Sequence, residues 1–320
     1  MFIRGMVNGL KMNAKRTTLW LLLQQLLFHV GHQEVSSLSL SAATSTLNSP
    51  PTHRTATEHI HEFWGRPRSS KEIQNHVQIC MDYVEEVILA QQPKTTSVDV
   101  EIVSSEPPLI VIHDFLPAET CDELIEQAKN TGDMQRSKTG VEGKTCERRT
   151  STTVWLKDHQ CPGPLRCIAD KVAMISGLPP QNMENLQVVR YEASQSFQLH
   201  TDHQDEFNDL ERRGRLATCL IYLAEPSGGG ETWFPGIDPS NEDLVITTTK
   251  GSAVFFFNTV ERPGCEGYSP EMFLHTDTRL KHAGLPVADD STSEKWICNR
   301  WIHPIDFGGG VVGTNQWRAV

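Results

Sequence analysis

Near the middle of the chain, His200-Thr201-Asp202 sets an imidazole and a carboxylate two positions apart, just after a run with strand character. In an extended segment residues i and i+2 point to the same side, so both groups can aim at one point. A second imidazole from a distant strand completes a face of two histidines and one carboxylate. That face leaves the remaining positions of an octahedral metal open and suits non-haem Fe(II) chemistry. A lone His-x-Asp is common by chance and reads equally well as a solvated polar loop. With 13 histidines in 320 residues, a distant partner is not scarce.

Further residues sharpen this pattern. His282-Ala-Gly-Leu-Pro-Val lies beyond the bulky run Ala253-Val-Phe-Phe-Phe-Asn258, and Glu294-Lys295-Trp296 opens the last strand-like run, setting a cation close behind an imidazole. With these in order, the sequence resembles the prolyl 4-hydroxylase catalytic-subunit family of Fe(II)/2-oxoglutarate dioxygenases, of the collagen, plant and algal type. The resemblance runs from about residue 108 to 303. It includes IVIHDFLPAETCDELI, RRTSTTVWL, NLQVVRYE leading to HTD, RLATCLIYLAEPSGGGETWFP, GSAVFFFN, HAGLPV and EKWICNRWIH.

The resemblance implies a mainly β fold with flanking helices around a double-stranded β-helix (jelly roll, cupin-like) core. It implies hydroxylation of peptidyl proline to 4-hydroxyproline with release of succinate and CO2, using Fe(2+), 2-oxoglutarate, O2 and L-ascorbate. Carried over by position, His200, Asp202 and His282 would be the iron ligands, and Lys295 would bind the distal carboxylate of 2-oxoglutarate. A flexible ammonium in a low-dielectric pocket is suited to that pairing. Tyr191 and Thr218 match hydroxyl-bearing positions that help to hold the cosubstrate. For a proline-rich protein or peptide substrate, Arg149, Ser151, Glu184, Arg215, Trp301 and His303 match the groove; Arg donors and an aromatic platform suit the free carbonyls of a polyproline II helix.

The chain also departs from the family pattern. Phe197 stands where a tyrosine is usual, and Thr201 and His203 replace aromatic residues around the candidate ligand Asp202. The interval from His282 to Lys295 is a few residues longer than usual, filled by Ala288-Asp-Asp-Ser-Thr-Ser293, and is expected to bulge out as a turn. Two other readings stay open: oxidation of another protein side chain or a small molecule, and a binding subunit that keeps the fold without turnover.

The elements that must position these residues follow from periodicity. From residue 186 onward short β-type runs appear at 186–192, 216–224, 244–248, 252–258 and 295–303, separated by turn signals such as Lys250-Gly251. Strands without intervening helices indicate an antiparallel sandwich or barrel. Ahead of them, 71–91 carries apolar residues at helical spacing, 109–116 reads as a strand, and Pro117-Ala118-Glu119 opens a helix with the stripe Cys121, Leu124, Ile125 and Ala128. A further helix is predicted after Pro164. The segments 132–146 and 203–214 read as polar loops that can fold over substrate. The domain reading is a leader at 1–30, a linker and helix at 31–105, the dioxygenase domain at 106–305 and a tail at 306–320.

The chain ends and overall charge bound the setting. The first 30 residues hold Arg4, Lys11, Lys15 and Arg16 and no acid, and 17–30 form an apolar run too short for a typical bilayer span but of signal-peptide length. Entry to the secretory pathway and endoplasmic reticulum is expected, with a plastid or mitochondrion as the alternative. A retained signal anchor is the one form of membrane attachment considered. The net charge of −11 argues against a nucleic-acid partner and favours a basic or neutral one. No pairing can be read from the eight cysteines. Cys219 and Cys298 lie in apolar runs and are expected to be buried thiols, while Cys161 and Cys167 can bridge locally.

Overall fold

In a computed structural model, the structure describes residues 64, 68–84, 99–139, 143–157, 162–203, 214–237, 244–247, 249–261 and 274–304. The expected leader, the linker up to residue 63, the tail from 306 and Cys161 lie outside the described residues, as does 204–213 of the second loop. No helix among the described residues is long and apolar enough to cross a membrane.

Three helices form on the signals visible in the sequence. Helix α1 (Ser70–Tyr83) opens on a capping box: the Ser69 hydroxyl accepts the Glu72 N–H, and the Glu72 carboxylate accepts the Ser69 N–H. Its Ile73, Val77, Cys80 and Met81 are buried. Helix α2 (Ala118–Asn130) buries Cys121, Leu124 and Ala128 at helical spacing, and α3 (Pro162–Ser176) begins two residues before the expected Pro164.

The strands are β1 (Val100–Ser105), β2 (Pro108–Ile112), β3 (Gln135–Arg136), β4 (Thr152–Leu156), β5 (Leu186–Tyr191), β6 (Phe197–His200) and β7 (Ala217–Ala224). They continue with β8 (Thr232–Trp233), β9 (Val245–Ile246), β10 (Ala253–Phe257), β11 (Thr259–Glu261), β12 (Leu274–Thr276), β13 (His282–Gly284) and β14 (Lys295–Ile302). A large sheet has the order β1-β2-β10-β7-β14-β5-β4-β3, and a small one β6-β13-β8-β9; β11 and β12 form a separate ribbon. From β5 to β14 the chain passes back and forth between the two main sheets, all pairings being antiparallel. This winding is a double-stranded β-helix. One correction concerns its edge: β1, read from sequence as part of the preceding segment, pairs with β2 and extends the large sheet.

Burial on both faces explains the unbroken apolar runs. On β10, Ala253, Phe255 and Phe257 belong to the outer core with the helices, whereas Val254 and Phe256 belong to the inner core with Val189, Tyr222, Phe234 and Ile297. Strand β14 alternates likewise. Trp296, Cys298 and Ile302 join the outer core, and Cys298 and Cys219 are buried thiols. The inward positions are Lys295, Ile297, Asn299 and Trp301, which register against Tyr191, Val189, Gln187 and Thr218 respectively on the adjacent β5 and β7. These rows carry polar groups among apolar neighbours.

Candidate metal centre and its cavity

Antiparallel pairing of β13 with β6 places His282 directly opposite His200, so two imidazoles 82 positions apart become cross-strand neighbours. Their ring centroids are 4.3 Å apart. Asp202 follows β6 and turns inward: its Oδ1 lies 3.5 Å from His200 Nε2 and its Oδ2 3.8 Å from His282 Nε2. One ligand atom from each of the three lies within 4.8 Å of the others, the spacing needed to share one ion. The i, i+2 argument made from sequence is therefore realised at the end of a strand.

Both imidazoles are held by their second nitrogen. His200 Nδ1 lies 2.8 Å from the Gln198 carbonyl and His282 Nδ1 lies 3.1 Å from the Leu280 carbonyl. A carbonyl accepts only, which assigns the proton to Nδ1 and leaves the Nε2 lone pair toward the shared point. Burial, followed by repulsion from His200, lowers the His282 pKa to about 4, so the ring is neutral near pH 7. Asp202 is 9% exposed. Burial alone would raise its pKa, but the adjacent His282 and His200 and the charge of Arg215 outweigh this and hold it well below the usual carboxylate range. Two neutral nitrogens and one carboxylate oxygen are a donor set that fits Fe(II).

Asp202 has further support that sequence reading placed elsewhere. Thr218 donates to Asp202 Oδ2 at 2.8 Å, and the Trp301 indole donates to the same oxygen at 3.0 Å. Thr218, expected on the cosubstrate, thus faces the Asp202 carboxylate and Asn258. The register of Thr218 opposite Trp301 puts both donors on one inward row. No short-range sequence signal could reveal this, because the partner strand is 83 residues away.

The three groups border a cavity of about 710 Å3, which Tyr191, Leu220, Thr232, Gly284, Lys295 and Ile297 also line. Lys295 is 2% exposed, and its ammonium donates to the Gly230 carbonyl at 2.6 Å. That is its one acceptor among the described residues. Burial lowers its pKa to about 8, against the opposing attraction of Glu231. Gly284 borders the same end of the cavity: a Cβ there would be in van der Waals contact with the Phe197 backbone N at 3.8 Å, the Tyr191 hydroxyl oxygen at 3.8 Å and Lys295 Nζ at 3.9 Å. A buried cation with donor capacity to spare, beside a phenol and a glycine that adds no side chain, fits a carboxylate end of a small dicarboxylic acid. The longer 282–295 interval does not disturb this register. Ser291 and Thr292 bond to Ser227, Ser293 bonds to the Glu225 carbonyl, and the extra residues form the expected turn.

The six expected groove residues divide into two sets. Arg149, Arg215 and Trp301 line the cavity; Ser151, Glu184 and His303 do not. Glu184 accepts from Arg215 at 2.6 Å and lies 2.8 Å from His303 Nε2, while the Arg215 guanidinium lies 3.4 Å from the Trp301 ring centre. Burial alone would raise the Glu184 pKa, but Arg215 and His303 bring it down to about 2. Ser151 bonds Ser137 at 2.9 Å behind the wall. Glu184, with His303 behind it, therefore holds Arg215 in place. Phe197, the aromatic without a hydroxyl, is packed between the Arg149 guanidinium at 4.7 Å and the His200 ring at 3.5 Å.

Sequence reading missed Gln187 and Asn299, which also line the cavity; Gln187 accepts from Arg149 at 3.0 Å and from Asn299 at 3.3 Å. Their signal was present as single amides inside the apolar runs LQVVRY and KWICNRWI.

Residues 186–303 match the family described as the 2OG-Fe(II) oxygenase superfamily. Prolyl 4-hydroxylase 1 of Arabidopsis thaliana is 33% identical over 215 residues, covering 63% of this chain and 71% of the relative. Prolyl 4-hydroxylase 2 of the same plant is 31% identical over 229 residues, covering 65% and 71%. Among solved structures, the viral collagen prolyl hydroxylase of Paramecium bursaria Chlorella virus-1, as its 2OG complex, is similar at 28% identity and a TM-score of 0.47, covering 62% of this chain and 96% of that one. On the strength of the matches to the plant enzymes, the chain belongs to the prolyl 4-hydroxylase family of 2OG-Fe(II) oxygenases.

Proposed function

We propose that this protein hydroxylates C4 of proline in a peptide, coupled to conversion of 2-oxoglutarate to succinate and CO2. The observation that carries the reading is the convergence of His200, Asp202 and His282 on one point of a cavity whose buried wall holds Lys295. When bound, Fe(II) with 2-oxoglutarate and O2 supplies the oxidising chemistry. His200 and His282 would offer Nε2 and Asp202 a carboxylate oxygen to the iron. Lys295 would pair with the distal carboxylate of 2-oxoglutarate, and the Tyr191 hydroxyl lies where it can donate to the same end. Thr218 and Trp301 orient the Asp202 carboxylate and satisfy its second oxygen.

For the peptide, Arg149 and Arg215 present guanidinium donors on the cavity wall, and Trp301 presents an aromatic face. Glu184, with His303 behind it, fixes the Arg215 fork, and Arg215 in turn covers Trp301. The walls exclude water from the reacting carbon and orient it. Ascorbate as reductant belongs to the same proposal and rests on the sequence resemblance. So does action in the endoplasmic reticulum, which rests on the basic and apolar composition of the first 30 residues.

The test is succinate formation with a proline-rich peptide, with mass spectrometry locating the added oxygen atom on proline. Succinate formation unchanged in His200→Ala, or oxygen found on another residue, would overturn the assignment. Absence of stoichiometric Fe(II) or Mn(II) uptake would favour a binding subunit without turnover.

A further inference from the structure

The charge at the cavity mouth is opposite to that of the chain. The protein is net −11, yet among the described residues those bordering the outer cavity include Arg136, Lys138, Arg148 and Lys157, against one acid, Asp133. They come from separate places in the fold. Arg136 lies on β3 and Lys138 two positions beyond it. Arg148 is tied to β6, its carbonyl accepting the Gln198 N–H and its guanidinium donating to the Leu199 carbonyl, and Lys157 follows β4. Such a cluster is not a by-product of composition.

Arg136 has Glu147 at 3.9 Å, with the Glu147 side chain 97% exposed. Lys138 and Arg148 are exposed and have no carboxylate within ion-pair distance among the described residues. Exposed cations that line the cavity act on whatever enters it within the screening length of physiological salt, about 8 Å. A long polyanion would meet the negative field of the rest of the chain, whereas a short acidic segment entering the cavity meets only the rim.

We infer that the preferred substrate is a peptide with acidic residues flanking the target proline. This narrows the proposed function and rests on it for the identity of the oxidised residue. It also reverses the expectation from net charge, which favoured a basic or neutral partner: the local field at the entrance decides, and the global sum does not.

The experiment compares three peptides of equal length in which proline is flanked by Glu, Gln or Lys. With the full-length protein, KM should rise in the order Glu, Gln, Lys, with about tenfold between the first and second, the combined effect of two or three exposed charge pairs. The order should fade as salt is raised from about 0.05 M to about 0.5 M. It should invert in the double variant Lys138→Glu, Arg148→Glu. Equal KM values at low salt, a preference for Lys, or an order indifferent to the double variant would overturn the inference. If no peptide gains oxygen, the proposed function fails; the charge preference is then read from fluorescence anisotropy of the labelled peptides with the full-length protein. Equal affinities there overturn the inference in its own right.

Discussion

Replacing Lys295 by Met should stabilise the protein while removing its affinity for 2-oxoglutarate. The ammonium is buried and its pKa is lowered from 10.5 to about 8, chiefly by loss of hydration. That difference corresponds to about 3 kcal/mol of unfolded-state preference for the charged form. The sign follows from linkage. Below the folded pKa both states hold the proton and the folded state bears the whole cost; as pH rises past about 8 the folded state releases the proton first and the cost shrinks. At pH 7, Lys295→Met should therefore raise the unfolding free energy by up to about 3 kcal/mol, measured by urea denaturation without cosubstrate. Removing one member of a buried ion pair costs about 3–5 kcal/mol, so the KM for 2-oxoglutarate should rise at least a hundredfold. In the wild type, kcat/KM for 2-oxoglutarate should be flat below about pH 7 and decline above about pH 8 as the ammonium is lost. Tyr191, whose pKa is raised above its ordinary 10 by burial, does not contribute to that limb. A destabilised Lys295→Met, an unchanged KM, or an alkaline limb that persists in the variant would refute the assignment.

Three further outcomes follow from the geometry. Trp301→Phe keeps the ring against Arg215 but deletes the donor to Asp202 Oδ2, and should weaken Mn(II) binding by about tenfold in a metal titration; unchanged affinity would show that Thr218 alone suffices. Glu184→Ala leaves Arg215 and buried His303 without their shared acceptor, and urea unfolding should show a loss of about 3–5 kcal/mol. Gly230→Ala forces a side chain onto a backbone at φ +79° with Lys295 Cδ 3.2 Å away; calorimetry should record at least about 1 kcal/mol of destabilisation and kinetics a higher KM for 2-oxoglutarate.

Much of the architecture was legible because burial leaves a periodic trace. The β5, β7, β10 and β14 runs announced themselves as apolar segments bounded by turns, and the α2 stripe of Cys121, Leu124 and Ala128 predicted its buried face. Short strands did not announce themselves. Strands β3, β8 and β9 have two residues each, too few to show alternation, and exist because a neighbour offers hydrogen bonds. Strand β1 was missed because it interleaves Glu101 and ends on Ser104 and Ser105, and its pairing with β2 is a tertiary fact.

Residue types and their short-range spacing were sufficient for one part of the site, His200 and Asp202 two apart on extended backbone, while His282 and Lys295 were identified through the family resemblance. Tertiary structure alone decided the register that sets His282 across from His200, that Thr218 and Trp301 would serve the carboxylate, and that scattered cations would gather at one rim. The physical reason is that side-chain direction along a strand is set by local backbone geometry, whereas register between strands is set by the packing of two sheets around a shared core.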